Sequence, residues 1–340
     1  AASDVYKRQP LYVSIISKRY AEFNYIDLFA GSGLNKFENT DIIVAGSPII
    51  ALSFTPRPFS TAYFVDIDSA KIRLLEKRVQ YLKELSKLNK YRECIFTDIE
   101  YTSVKYYSGL NANYAVKRIY DEIEERHKEL LRTRGKGCHN LVFIDPFGLE
   151  FERKSLERIL KSAITYKGKH YSVRSDIIIL FNSYGVGMQA YNIIQHEYSS
   201  TSLDKHLGCE WVNYVKNYAK QLGKNLYQLS RNELSKILSE FYVSIFKKHD
   251  FIVETIRLPL RLKAQQFDLI FACKRTRKGN PFLAGVHYIK DMLEHTDYKL
   301  VDHLKEYLIT GKLPGLLEFI IRDPKMALEK YKTAKRFGIV

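Results

Sequence analysis

The sequence predicts an α/β domain built on a doubly wound, mostly parallel sheet whose last strand is antiparallel. Three observations carry this. An apolar run ends in Asp27 and opens into Gly31-Ser32-Gly33, where the lack of Cβ atoms lets backbone pass close to a ligand. Short apolar runs alternate with longer amphipathic segments, the pattern of repeated βαβ units. Residues 176–181 read Asp-Ile-Ile-Ile-Leu-Phe, nearly continuous apolar sequence, as expected of a strand covered on both faces.

The elements follow in order. Strand one is expected at 24–29, then a long polar loop at 34–45. Ser47 can cap, and Pro48 can open, a short helix through Leu52. Strand two is expected at 62–65, ending at Asp66. A basic helix follows at 69–88, with Ile72, Leu75, Val79 and Leu82 on one face. Strand three is read at 93–97, ending at Asp98, and a helix at 112–132. Strand four is read at 140–144, ending at Asp145, with a helix at 153–165. Residues 187–248 read as a helical insertion. Two late strands, at 252–258 and 267–273, are expected to be the antiparallel end of the sheet, joined by a connection holding Arg261 and Lys263. Residues 281–340 read as a helical C-terminal region broken by Gly311, Pro314, Gly315 and Pro324. The sheet domain is thus assigned to 10–186 and 249–280.

Residues 4–9, Asp-Val-Tyr-Lys-Arg-Gln, resemble the translation of a sequencing adaptor. Residues 1–9 are therefore expected to be foreign to the fold, with genuine sequence starting near Pro10 and N-terminal helix lost ahead of it. The longest apolar stretch, 42–54, is broken by Gly46, Ser47 and Pro48 and is too short to span a bilayer. Cys94, Cys138, Cys209 and Cys273 are dispersed and make no Cys-x-x-Cys pair, so neither a metal site nor a disulfide framework is expected. Reduced thiols fit a cytoplasmic protein. The net charge of +16 favours a polyanionic partner such as nucleic acid, although a Lys-, Tyr-, Ile- and Asn-rich composition also arises from AT-rich coding.

Ligands of doubly wound sheets sit over the carboxyl ends of the strands. Asp27, Asp66 and Asp98 each close an expected strand, with Asp68 a rival to Asp66. One acid can accept from both ribose hydroxyls, one from an adenine amine, and Asp27 would lie near an ammonium group. With Phe29, Ala30, Gly31, Ser32 and Gly33 they form a candidate nucleoside cradle. Each acid alone also reads as a helix cap. A dinucleotide fingerprint fits less well, because Leu34-Asn35-Lys36 follows Gly33 with no third glycine and no immediate helix start. A phosphate-binding Gly-x-x-x-x-Gly-Lys-Ser/Thr loop is absent from the sequence.

The 25–33 segment, Ala45-Gly46-Ser47-Pro48-Ile49-Ile50-Ala51-Leu52, Val142-Phe143-Ile144-Asp145-Pro146-Phe147-Gly148 and Phe267-Asp268-Leu269-Ile270-Phe271-Ala272 together resemble the three-Cys-motif partner proteins (TcmP), over about 24–290. That family is similar to class I methyltransferases with a Rossmann-like sheet. The resemblance implies S-adenosyl-L-methionine as cofactor, a bacterial setting and a three-Cys-motif protein as partner. It supports the fold better than the reaction.

Amino-methyltransferases of nucleic acids carry Asp/Asn-Pro-Pro-aromatic after strand four, where the acid aligns an exocyclic amine and the aromatic stacks on an extruded base. Asp145-Pro146-Phe147-Gly148 keeps the acid and the first proline but places Phe and Gly at the next two positions. Asp145, Pro146 and Phe147 are the candidate catalytic residues; an Asp-Pro turn that only ends a strand is the competing reading. Basic clusters at Arg153, Lys154, Arg158 and Lys161, at Lys167, Lys169, His170 and Arg174, and at Lys274, Arg275, Arg277 and Lys278 are candidate phosphate contacts or solvated faces. Tyr184, Tyr191, Tyr198 and Trp211 are candidates for substrate recognition or for core. The expected function is methyl transfer to nucleic acid, on a base exocyclic amine. The alternative is a methyltransferase-like, nucleoside-binding partner protein of a mobile-element or phage-defence system.

Overall fold

The first strand, β1 (Glu22–Asp27), is buried from Phe23 onward, because it lies in the middle of the sheet with both faces covered. The computed structural model describes residues 18–36, 43–53, 57–87, 99–196, 198–258 and 267–276, with single residues 16, 282, 283, 286, 287 and 290. After β1 the chain turns into a hairpin, β2 (Leu34–Lys36) and β3 (Ile43–Ala45), and a short helix α1 (Ser47–Ser53). β4 (Thr61–Asp66), α2 (Ser69–Ser86), a 3-10 turn at Ile99–Tyr101 and β5 (Ser103–Ser108) follow. Next come α3 (Ala112–Arg134), β6 (Cys138–Ile144), α4 (Arg153–Leu160), a hairpin of β7 (Ala163–Tyr166) and β8 (Lys169–Ser172), and β9 (Arg174–Phe181). The chain is then helical through α5 (Ser183–His196), α6 (Thr201–Leu207), α7 (Trp211–Gln221) and α8 (Arg231–Lys247), before β10 (Phe251–Leu258) and β11 (Phe267–Lys274).

The main sheet runs β10-β11-β9-β6-β1-β4-β5. Only β11 is antiparallel to its neighbours; β10, antiparallel to β11, runs the same way as the rest. This is the Rossmann-like, mostly parallel sheet with an antiparallel last strand that the sequence predicts. Alternation along β1 splits the core in two. Ile26 joins Val142, Ile144, Ile177 and Ile179 under α3 and the 183–247 helices, while Tyr25 joins Phe64, Leu75 and Phe271 under α2.

Three sequence expectations are corrected among the described residues. The strand that pairs with β4 is Ser103–Ser108, downstream of the stretch read as strand three, and its register with β4 runs from Thr61↔Ser103 to Asp66↔Ser108. Tyr106 and Tyr107 fit a half-buried edge better than their polar neighbours suggest. The helix after the Asp-Pro turn ends at Leu160, and residues 163–172 form a hairpin instead. Its turn puts Lys167 (φ 49°) and Gly168 (φ 71°) both in the left-handed region, as a two-residue hairpin turn requires. The polar segment 34–45 contains the β2–β3 hairpin, so the backbone leaves the glycine loop paired rather than free. The readings for 1–9, 93–98, Arg261, Lys263, Arg277, Lys278 and most of 281–340 lie outside the described residues.

Candidate functional site at the carboxyl edge of the sheet

The topology brings the ends of β1, β4, β6 and β9 to one edge. Asp27 closes β1 with its side chain fully buried. Its Oδ2 accepts hydrogen bonds from Ser47 Oγ (2.7 Å) and Tyr25 OH (3.2 Å), and its Oδ1 accepts from Phe29 N (3.2 Å). Burial pushes its pKa up to about 7 against those three donors, and Asp145 adds a smaller like-charge push. Ser47 is thereby spent on Asp27; the sequence reading of Ser47 as a helix cap missed this link, because only the fold puts α1 against the end of β1.

The glycine loop is held from several sides. Ala30 N donates to Val65 O (2.9 Å), and Gly31 N donates to Asp66 Oδ2 (3.0 Å). Gly46 N donates to Gly33 O (2.8 Å), and Arg78 donates to Ser32 O (2.6 Å). Gly31 (φ 60°) and Gly33 (φ 80°) both need the left-handed conformation. Their surroundings differ. A Cβ on Gly33 would meet Leu75 Cδ1 at 2.6 Å, whereas one on Gly31 would project into open space. Gly33 is thus a packing glycine, and Gly31 is the bare rim of a cradle. Phe29 is half-buried and meets Phe151 edge-to-face at 6.4 Å. Ser32 donates to Leu34 O (3.2 Å).

Asp66 closes β4 and uses both oxygens on backbone, Oδ2 on Gly31 N and Oδ1 on Asp68 N (2.8 Å). Asp68 caps α2 by accepting from Ala70 N and Lys71 N. The rival acids therefore separate: Asp66 joins the loop, and Asp68 is a cap. Asp98 lies outside the described residues, and the strand that pairs with β4 begins downstream of it, at Ser103. The carboxyl end of that strand carries Ser108, Gly109 and, as the cap of α3, Asn111.

β6 delivers Asp145, Pro146 and Phe147. Pro146 is buried, while Asp145 is exposed and makes no hydrogen bond or ion pair among the described residues. Enough protein surrounds Asp145 to raise its pKa through lost hydration despite that exposure. Phe147 is 96% exposed, the most exposed large apolar side chain described. Behind it the loop is tied down: Asn113 Nδ2 donates to Glu150 O (2.7 Å), Glu152 N donates to Asn113 Oδ1 (2.9 Å), and His206 Nδ1 meets Phe151 O at 2.7 Å. Asn113, His206 and the exposed Tyr114 beside them escaped sequence reasoning; only the fold sets α3 and α6 against this turn.

The basic cluster after the turn has other work. Arg153 donates to Glu157 and to Leu207 O, Arg158 to Glu124 and Asp121, and Lys161 to Glu157. These three cations answer carboxylates of their own chain, which corrects the reading of the whole cluster as a phosphate-binding face. Trp211 is fully buried in the core and donates to Asp204, while Tyr198 is exposed. Grooves of about 350 Å³ (Leu34, Ile49, Arg78, Tyr81) and about 570 Å³ (Lys105, Tyr107, Arg118) flank the sheet; neither includes Asp145. Among the described residues no cluster of His, Cys, Asp or Glu could hold a metal ion, and no helix is long and apolar enough to cross a membrane.

No protein-family model matches the chain, and no curated protein matches it. Among solved structures it is similar to Trm1 from Pyrococcus horikoshii in complex with S-adenosyl-L-methionine, at 14% identity and TM-score 0.37, covering 79% of this chain and 54% of that one. The chain thus spans about half the length of Trm1. It is also similar to protein LPL1258 from Legionella pneumophila (11% identity, TM-score 0.42, 85% and 90% covered). A third likeness is to an rRNA methylase from Streptococcus thermophilus (10%, 0.29, 78% and 97%). The fold assignment rests on the strand order of this chain itself.

Proposed function

We propose that this protein is an S-adenosyl-L-methionine-dependent methyltransferase acting on nucleic acid, at a base exocyclic amine. The observation that carries the proposal is the shared edge. An open-topped Gly31, held by Asp66, stands one strand from a solvent-reached Asp145, unpaired among the described residues and followed by a bare Phe147. The open space at Gly31 is where a Cβ would intrude on an adenosyl ligand, so the residues present fit the cofactor. Phe29, Ala30, Gly31, Ser32 and Gly33 would line it. Asp27, fully buried with its oxygens turned to Ser47, Tyr25 and Phe29, would act on the charged end through its field rather than by contact, and Asp66, with lone pairs left beyond its two backbone contacts, would reach the ribose. Asp98 is retained only as a proposal for the adenine amine. When bound, the cofactor supplies an electrophilic methyl group.

The chain's own part is positioning. Asp145 would accept a hydrogen bond from the exocyclic amine and hold its lone pair in line. Pro146 fixes the turn, and Phe147 would stack on the base. Residues 10–186 and 249–280 form the proposed catalytic domain, with 187–248 as an insertion beside it, in a cytoplasmic protein of the three-Cys-motif partner kind.

The test is calorimetric titration with S-adenosyl-L-methionine, followed by labelled-methyl transfer to RNA and DNA. Binding together with transfer is expected, and Asp145→Ala should abolish transfer while leaving cofactor affinity within about twofold, as for a group that acts only in the transition state. Equal transfer by the variant refutes the role of Asp145. Absence of binding at millimolar ligand refutes the enzyme. A second reading, a nucleoside-binding partner of a three-Cys-motif protein without transfer activity, is favoured by the bare Phe147, which suits a protein contact equally well. Binding without transfer to any nucleic acid would support it.

A further inference from the structure

Helix α5 leaves the carboxyl end of β9, the strand that pairs with β6 and so borders the Asp145 turn. Val186, Gly187, Ala190 and Ile194 bury one face of it. Gly187 sets the closeness of that packing: a Cβ there would meet Ser235 Oγ at 2.2 Å and Ser235 N at 2.7 Å on α8. The stripe beside this face is different in kind. Tyr184, Met188, Tyr191 and Gln195 recur at helical spacing, with Met188 exposed and the others half-buried. The stripe spans about 17 Å at 1.5 Å rise per residue.

Two neighbours extend the stripe. Arg231 lies over the Tyr191 ring, its guanidinium carbon 4.9 Å from the ring centroid. Gln195 donates to Tyr227 O at 2.7 Å, which sets the 64%-exposed Tyr227 beside the far end. Arg231 is also the first residue of α8, where the helix dipole disfavours a cation. A cation kept there, stacked on a half-buried ring, suits an anionic, planar ligand better than it suits the helix.

We infer that this stripe is a track for single-stranded nucleic acid, leading unpaired bases from Tyr227 and Arg231 along Tyr191 and Tyr184 toward the Asp145 turn. The inference deepens the proposed function and rests on its nucleic-acid reading. Half-buried tyrosines offer rings already fixed in place, so a base stacks on them at little entropic cost. The guanidinium backed by Tyr191 offers both a stacking plane and a phosphate contact. A net charge of +16 supplies the complementary field. A single strand rather than a duplex fits, because only unpaired bases expose their faces to such rings, and an exocyclic amine inside a duplex cannot reach the site.

The experiment is fluorescence anisotropy with one labelled mixed-sequence oligonucleotide, as a single strand and as its duplex, using the full chain. The single strand is expected to bind more tightly. Tyr184→Ala and Arg231→Gln should each weaken it roughly tenfold, the loss of one stacking contact. Tyr191→Phe, which keeps the ring, should bind like the parent, and thermal melting checks that each variant folds. Arg231 is exposed, so its variant stays informative if a tyrosine variant misfolds. Parent-like binding by Arg231→Gln and Tyr184→Ala overturns the track while leaving the methyltransferase reading intact, as does a preference for the duplex. Absence of binding to either form overturns the track together with the nucleic-acid reading, and the stripe is then a protein-facing surface.

Discussion

Asp27 and His206 are buried titratable side chains on either side of the candidate site, and their shifts oppose each other. Asp27 holds its proton up to about pH 7 in the folded chain, because burial outweighs its three donors, while an unfolded Asp loses it near 3.8. Between those values the unfolded chain binds fewer protons, so stability falls as pH rises, by ~1.4 kcal/mol per unit. His206 is buried beside the mutually stacked rings of Phe181 and Tyr242, and burial lowers its pKa from 6.5 to about 4. Between those values the unfolded chain binds more protons, so this residue makes stability fall as pH falls, by the same ~1.4 kcal/mol per unit. The two slopes cancel from about pH 4 to 6.5. Urea unfolding of Asp27→Asn is therefore expected to reveal a stability that climbs with pH across that window, and His206→Gln one that drops with pH. A parent-like slope in either variant would show that the corresponding group titrates normally.

Glycines govern how close two elements come, in different ways. Gly187 lets α5 lie on α8, and a methyl group there collides with the Ser235 backbone as well as its hydroxyl. A helix cannot yield as a side-chain tip can, so Gly187→Ala should cost roughly 1–3 kcal/mol by urea titration, as overpacking does. Gly33 lets the loop after β1 pass beneath α2. Its obstruction is a Leu75 methyl group, which can move, but its φ of 80° is costly for any other residue. Gly33→Ala should cost roughly 1–3 kcal/mol through backbone strain, and cofactor titration should show weakened binding as the loop shifts. Gly31→Ala shares the strained φ but meets no atom of the protein; its damage should be confined to ligand affinity beyond that strain. A thermal melt set beside a cofactor titration separates these two glycines.

At the scale of the whole molecule the +16 charge is a statement about partners, not about fold. Much of the cation complement near the Asp145 turn is already answered by Glu124, Asp121 and Glu157, so few phosphates should be neutralised on binding. The logarithm of nucleic-acid affinity should fall with the logarithm of salt with a shallow slope, about −0.7 per phosphate for a single strand. A steep slope would place a broad basic face elsewhere on the molecule. The buried central strands, the Gly31-Ser32-Gly33 loop and the Asp145-Pro146 turn were readable because each depends on local chemistry. Apolar runs mark strands buried on both faces, glycine permits a positive φ, and proline stops a helix. The third strand, the β7–β8 hairpin and the shortened α4 were not, since Ser103–Ser108 and Ala163–Tyr166 owe their conformation to neighbours that only the folded sheet supplies. Sequence by itself determined the class of sheet and that the segments after Asp27, Asp66 and Asp145 reach its carboxyl edge. Tertiary structure alone decided that Ser47 bonds Asp27, that Asp66 holds Gly31 while Asp68 caps a helix, and that Asp145 stands exposed at the same edge. Those are contacts between residues far apart in the chain, and their geometry exists only once the packing has closed.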